Sequence, residues 1–342
     1  MNHVAIDLGG RESQVCVRHA DGSLLEERKV STRKLVDLVQ TWTRSRIVLE
    51  TSAEAFRIAD AAKASGHDVR VVPATLVRTL GVGARGIKTD QRDARVLSEV
   101  SCRIELPSVH IPSEMSRELK SFCGSREILV ESRTKLINNV RGWLRTQLWR
   151  IRTGASSTFA GRVRALAQSN EVALPEHVER QLKVLELLQE QIKLADRQLK
   201  RIAGEHPICR RLMTVPGVGP VTAVRFVAAI DDPTRFPSSH AVESYLGMTP
   251  GEHSSSERQQ RTSITKAGPA PLRRALIQAA WAAIHKTPNE PMVAWAAQIA
   301  ARRGKFIAVV ALARKIAGIL FALWRDGTSY RSTLAVRSHS PG

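Results

Sequence analysis

The 342-residue sequence has no CxxC pair, no GxxxxGK[ST] phosphate loop and no long apolar run free of charge. Each absence removes a class. The four cysteines, Cys16, Cys102, Cys123 and Cys209, lie far apart, which argues against a disulfide framework or a zinc site and for a reducing cytoplasm. Without a phosphate loop, ATP is not expected to drive the chemistry. The chain opens "MNHVAID", so no signal peptide is expected. The most apolar run, Phe306 to Trp324, carries Arg314 and Lys315 at its centre. Charges there are costly in a bilayer, so a buried core helix is expected and no membrane partner.

Acidic residues are also few. Against 52 Lys and Arg stand 32 Asp and Glu, a net charge of +20. That surplus, in a chain whose 43% hydrophobic content suits a folded protein, favours a polyanionic partner, and nucleic acid is the reading that survives. Between Arg141 and Arg164 there are six arginines and no acid. Arg141, Arg145, Arg150 and Arg152 are the candidates there to follow a phosphate backbone. Trp143 and Trp149, in the same stretch, read as core anchors.

What is present begins as α/β. "HVAIDL" ends at Gly9-Gly10, "SQVCVRH" follows, Asp21-Gly22 marks a hairpin turn, and "LLEERKV" returns. "SRIVLET" and "HDVRVVP" are two more strands, separated by a helix that Gly66 closes. From about Met115 the chain turns helical and basic. From Glu176 to Ile202, Leu182, Leu185, Leu188 (or Gln189), Ile192, Leu199 and Ile202 approximate a heptad seam, buried either within the chain or between two copies.

Three stretches carry chemistry. Asp7 and Glu50 each close a strand, and Asp90 and Asp93 sit three apart in "DQRDAR", on one face of a helix. A helix start, with Thr89 or Asp90 as cap, would explain the last pair alone. Four carboxylates brought together would repel unless they held divalent cations, as in two-metal phosphodiester chemistry. "VPGVGPVTA" resembles the turn of a helix-hairpin-helix motif, with Gly217 and Gly219 letting a phosphate approach the next helix. "GEHSSSERQQRTS" has no apolar residue and reads as an exposed loop. From Arg258 to Lys286 there are six basic residues and no acid, so a serine hydroxyl in that loop stands where a phosphoryl-transfer nucleophile would need it.

The order Asp7, Glu50, "DQRDARVL", then "VPGVGPVTA", "YLGMTP", "SSS", "ITKAG" and "LRRAL", resembles the DEDD-type insertion-sequence transposases of the IS one-ten family, the bridge recombinases. The resemblance runs from Asp7 to about Arg325. Ala53 stands where the family usually has glycine. The resemblance implies an N-terminal RuvC-like, ribonuclease-H-type domain whose tetrad, Asp7, Glu50, Asp90 and Asp93, binds Mg2+. It implies a C-terminal serine that forms a covalent 5′-phosphoserine, at Ser255, with Ser254 and Ser256 adjoining. It implies donor and target DNA as substrates, a structured non-coding guide RNA, and homodimers pairing into a tetramer.

The expected fold is therefore α/β plus all-α. A RuvC-like domain covers 1–114, a basic helical and coiled-coil region 115–205, a helical serine transposase domain 206–330, and a tail 331–342. Arg258, Arg261, Lys266, Arg273 and Arg274 are expected to meet nucleic acid, and the bacterial nucleoid is the expected location. The rivals are a RuvC-like, metal-dependent junction nuclease without a serine nucleophile, and a non-catalytic nucleic-acid-binding protein.

Overall fold

A computed structural model describes residues 1–79, 90–255 and 258–332. The chain divides into two compact units, Met1–Pro112 and Ser113–Gly342.

The first unit is built on a five-stranded sheet of order β3-β2-β1-β4-β5. Strands β1 (Asn2–Asp7), β2 (Glu12–Arg18) and β3 (Leu24–Ser31) form an antiparallel meander. Strands β4 (Ser45–Glu50) and β5 (Asp68–Val72) run parallel to β1. Their residues alternate faces, as a pleated strand requires. Val4, Ile6, Ile47, Leu49, Val69 and Val71 pack on α1 (Leu35–Gln40) and α2 (Ala55–Ala64). Ala5, Val48 and Val72 face the other way, against Leu97 of α4 (Asp90–Arg103), the helix after the short α3 (Ala74–Thr79). Burying side chains of this size stabilises the layer by about 1.5–3 kcal/mol each.

The second unit is helical. Ser113 caps α5 (Glu114–Thr146), its hydroxyl accepting from the Ser116 amide at 3.1 Å. After α6 (Phe159–Ser169), α7 (Glu176–Glu205) returns antiparallel to α5. Ile137, Val140 and Leu144 meet Leu182 and Leu185 at one end, and Leu119 and Cys123 meet Leu199 and Ala203 at the other. The heptad seam is thus internal at Leu182, Leu185, Ile192 and Leu199, all buried. Trp143 and Trp149 pack edge to face, 5.8 Å apart, beside this seam.

Helices α8 (Pro207–Leu212), α9 (Pro220–Ile230), α10 (Ser239–Tyr245), α11 (Ala270–Lys286), α12 (Pro291–Arg303) and α13 (Lys305–Arg325) enclose the largest core. The apolar run from Phe306 to Trp324 lies in α13, which buries Leu312, Ile316, Leu320 and Phe321 there. By length and composition α13 could cross a membrane, but its apolar face is used inside the unit. The serine stretch departs from the expected loop. It forms an antiparallel ribbon of β6 (Pro250–Ser255) and β7 (Arg258–Ile264). Cross-strand backbone pairing needs no apolar side chain, so a wholly polar stretch can hold strand geometry at the surface.

Candidate functional site

The β1–β4 register pairs Ile6 with Leu49, which brings the next residues, Asp7 and Glu50, side by side. Two residues on from Ala5 and Val48, both share the sheet face that carries Leu97. Asp93 lies one turn before Leu97 on α4 and is 5% exposed. Asp7, Glu50 and Asp93 therefore belong to one side of one sheet. Gly9 shapes the turn beyond Asp7: a Cβ there would stand 2.3 Å from the Glu12 carbonyl oxygen.

Helix α4 is tied down from the neighbouring strand. Arg95 donates two hydrogen bonds to the Glu27 carboxylate, and Gln91 donates one at 3.1 Å. The Arg95 bond is the main reason that the Glu27 carboxyl is held below its ordinary range. Ser98 adds a link, accepting from Arg18 Nε at 3.0 Å. Sequence reading missed this clamp, because nothing in the pair Glu26-Glu27 of β3 marks which carboxylate meets an arginine 68 residues further on.

Carboxylate oxygens suit a hard divalent cation. Among the described residues no three Asp, Glu, His or Cys side chains close into a metal-holding group. The side chain of Asp90 lies outside the described residues, although its backbone opens α4. The donor chemistry fits a metal, and Asp7, Glu50 and Asp93 are the described residues that would contribute to holding it.

In the second unit, Ser255 pairs with Arg258 as the last rung of the β6–β7 ribbon, so it stands at the tip. The side chains of Ser254, Ser255, Arg258 and Arg261, and Ser256 as a whole, lie outside the described residues. The base of the ribbon is locked by glycines. A Cβ on Gly247 (φ +65°) would meet the Ala267 oxygen at 2.0 Å, and one on Gly268 (φ +77°) the Tyr245 oxygen at 2.0 Å. "YLGMTP" and "ITKAG" are thus two sides of one interlocked joint.

The comparisons bear on both units. A family model described as "Transposase" of the DEDD, IS110 type matches residues 4–148, and one described as "Transposase IS116/IS110/IS902 family" matches residues 209–292. Between them they match more than half of the chain. It is a transposase of the IS116/IS110/IS902 family. The chain is 27% identical over 334 residues to the transposase for insertion sequence element IS1111A of Coxiella burnetii, covering 96% of this chain and 91% of that one. It is 24% identical over 333 residues to the transposase for IS1328 of Yersinia enterocolitica, covering 96% and 98%. It is 25% identical over 325 residues to the 43.6 kDa protein of insertion element IS110 of Streptomyces coelicolor, covering 80% of each. The transposase is an enzyme acting on DNA, and its DEDD region points to dependence on a divalent metal.

The basic residues of the transposase separate into two groups. Arg145, Arg150 and Arg152 stand exposed, as does Arg141, whose guanidinium lies 5.6 Å from the centre of the Phe159 ring. Lys266 is exposed too, in a left-handed conformation (φ +57°), its amide donating to the Gly247 carbonyl. Arg273 departs from its expected place at nucleic acid. It is 8% exposed and donates to the carbonyls of Leu246, Ala267 and Gly268, stapling the glycine joint. A buried guanidinium must have its donors met inside, which is why the sequence pattern alone misplaced it. Arg274 is exposed but bridges Glu127 and Glu131 of α5. Arg164 is spent on Glu179 and Glu186.

Gly217 (φ +84°) also has an internal reason to be glycine. A Cβ there would lie 2.1 Å from the Ala279 oxygen and 2.9 Å from the Ala283 Cβ, so its close approach is to α11. Gly219, the residue before α9, has open space where its Cβ would be.

Proposed function

We propose that this transposase cuts and rejoins DNA by transesterification at Ser255, directed by a structured non-coding RNA whose loops pair with donor and target DNA. The observation that carries the reading is the neighbouring pair Asp7 and Glu50 at parallel strand ends, with Asp93 over the same face. Asp90, one turn before Asp93, completes the tetrad. The sheet order, an antiparallel meander followed by parallel strands, supports a RuvC-like, ribonuclease-H-type fold for residues 1–114. The helical residues 115–205 then carry oligomerisation, 206–330 the serine chemistry, and 331–342 a tail.

Ser255 Oγ attacks the phosphorus of a phosphodiester, and the bond to the 3′ oxygen breaks. The 3′ hydroxyl leaves with the proton that the serine gives up, and the 5′ phosphate stays on the serine. Attack by a second 3′ hydroxyl reverses the exchange and returns the proton. The bond energy is kept in the phosphoserine, in accord with the missing phosphate loop. Magnesium, when bound by the tetrad, would stabilise charge on the scissile phosphate or the leaving oxygen. Arg258 and Arg261 of β7, with Lys266 at the base of the ribbon, neutralise phosphate charge. Arg141, Arg145, Arg150 and Arg152 follow the backbone further along, and Gly219 leaves the start of α9 approachable.

Homodimers that pair into a tetramer complete the assembly. Val184, Leu187 and Leu194 of α7 support this, because they stand exposed at heptad spacing on the side away from the internal seam. The setting is the bacterial cytoplasm, at the nucleoid. To test the reading, Ser255→Ala and Asp93→Asn are compared with wild type on labelled donor and target DNA with the element's RNA and Mg2+. Both variants are expected to keep DNA binding and lose strand cleavage, Asp93→Asn by more than about 100-fold. A junction nuclease would go on cutting after Ser255→Ala, and that result overturns the serine mechanism.

A further inference from the structure

A cavity of about 890 Å³ opens beside the β6–β7 ribbon, in the second unit. One wall is the ribbon itself, with Pro250, Thr262, Ser263 and Ile264. The opposite wall is the corner where α12 turns into α13 at Gly304 (φ +87°), with Trp295, Ile299, Arg303, Phe306 and Ile307.

The aromatic groups here are unusual in their placement. Phe306 is 80% exposed, although a phenylalanine ring gains by burial. Its ring stands nearly perpendicular to that of Trp281, 6.5 Å between centres, and most of it is open to solvent. Trp295 forms part of the wall, with the Lys315 ammonium 4.4 Å from its ring centre. A second ammonium, Lys305, sits 4.8 Å from the centre of the Trp281 ring. The charge on the α12–α13 side of the cavity has one sign. From Pro291 to Arg325 the sequence has no acidic residue, and Arg303 has no ion-pair partner among the described residues. The carboxylate that lines the cavity, Glu243, is neutralised by Arg314 at 2.5 Å.

An exposed aromatic face, an apolar hollow and unopposed cations suit a ligand with a flat apolar body and a negative edge. An unpaired nucleotide has both, since a base stacks on an aromatic ring and its phosphate meets lysine or arginine. We propose that this cavity takes one unpaired nucleotide of the DNA strand, its base on Phe306 and its phosphate on Arg303 and Lys315. The hollow is large enough for a base with its sugar.

Its place relative to the cut rests on Ser255 being the nucleophile. Five residues separate Pro250 at the cavity from Ser255 at the tip, which in an antiparallel strand is about 17 Å. Stacked nucleotides advance about 3.4 Å each. The captured nucleotide would therefore lie within about five positions of the scissile phosphate, where a base pulled from the duplex would hold the strand against sliding.

The test uses the full-length protein and DNA duplexes carrying 2-aminopurine, a fluorescent base, unpaired at successive positions from the cleavage site. Wild type is expected to quench the probe at one position within five of the cut, and to bind that duplex about tenfold more tightly than the fully paired one. Phe306→Ala, a change at an exposed side chain that should not disturb folding, is expected to lose the quench and the preference while binding paired duplex as before. Ser255→Ala should keep both, so failure of the serine reading would show as a missing covalent adduct with this signal intact. Equal preference in wild type and Phe306→Ala would overturn the proposal. So would a preference seen only with RNA strands. A Phe306→Ala effect confined to oligomeric state would give the patch to a second copy of the chain instead, and the proposal would fall.

Discussion

Several side chains that look like ligand contacts in the sequence are spent on the protein itself. Gly217 is the clearest, since its missing Cβ makes room for the α11 backbone at Ala279. Gly217→Ala is expected to destabilise the second unit by about 1–3 kcal/mol, by overpacking and by the positive φ, read as a lower Tm. Gly219→Ala should not, because nothing lies where its Cβ would go. The same contrast holds for the arginines, where Arg273 serves the glycine joint and Arg150 stands exposed. A sequence reports that a residue is basic or small; it does not report which internal carbonyl claims it. The carboxylates were more legible, because Asp7 and Glu50 end apolar strands, and an acid at a strand end is not there for the core.

At the scale of elements, periodicity carried much of the fold. Strands β1 to β5 and helix α2 stand where alternation and turn residues put them. The long basic and heptad stretches became α5 and α7. The ribbon β6–β7 was not legible, because from Gly251 to Ser263 it has no apolar residue whose alternation could mark a strand. The Glu27 clamp on α4 was likewise invisible, since it joins residues far apart in the chain. Its consequence can be measured. The Glu27 carboxyl is held below its ordinary value, chiefly by the Arg95 hydrogen bond. Its stabilising contribution is therefore complete above the unfolded value, about pH 4.3. It is lost as the pH falls through the lower folded value. Glu27→Gln is expected to lower the Tm of the first unit at pH 7 and to reduce metal-dependent cleavage by loosening α4. The Tm difference from wild type should shrink as the pH is taken below 4. A difference that stayed constant down to acid pH would mean that the clamp does not contribute through its charge.

For the whole molecule, the net charge of +20 sets how DNA is held. Engaging about six phosphates through exposed arginines gives a plot of log affinity against log salt with a slope of about −5. Titration of binding from low to physiological salt checks this, and removing Arg150 and Arg152 together should make the slope shallower by about 2. A slope near zero would contradict an electrostatic backbone contact.

The central claim, that a serine at the ribbon tip joins covalently to DNA, has a direct measurement. The transposase is incubated with element RNA, Mg2+ and DNA, the DNA is digested, and tryptic peptides are analysed by mass spectrometry. The account predicts that the peptide Phe236–Arg258 carries a nucleotide through a phosphoester on Ser255. DNA cut to completion with that peptide unmodified would contradict it.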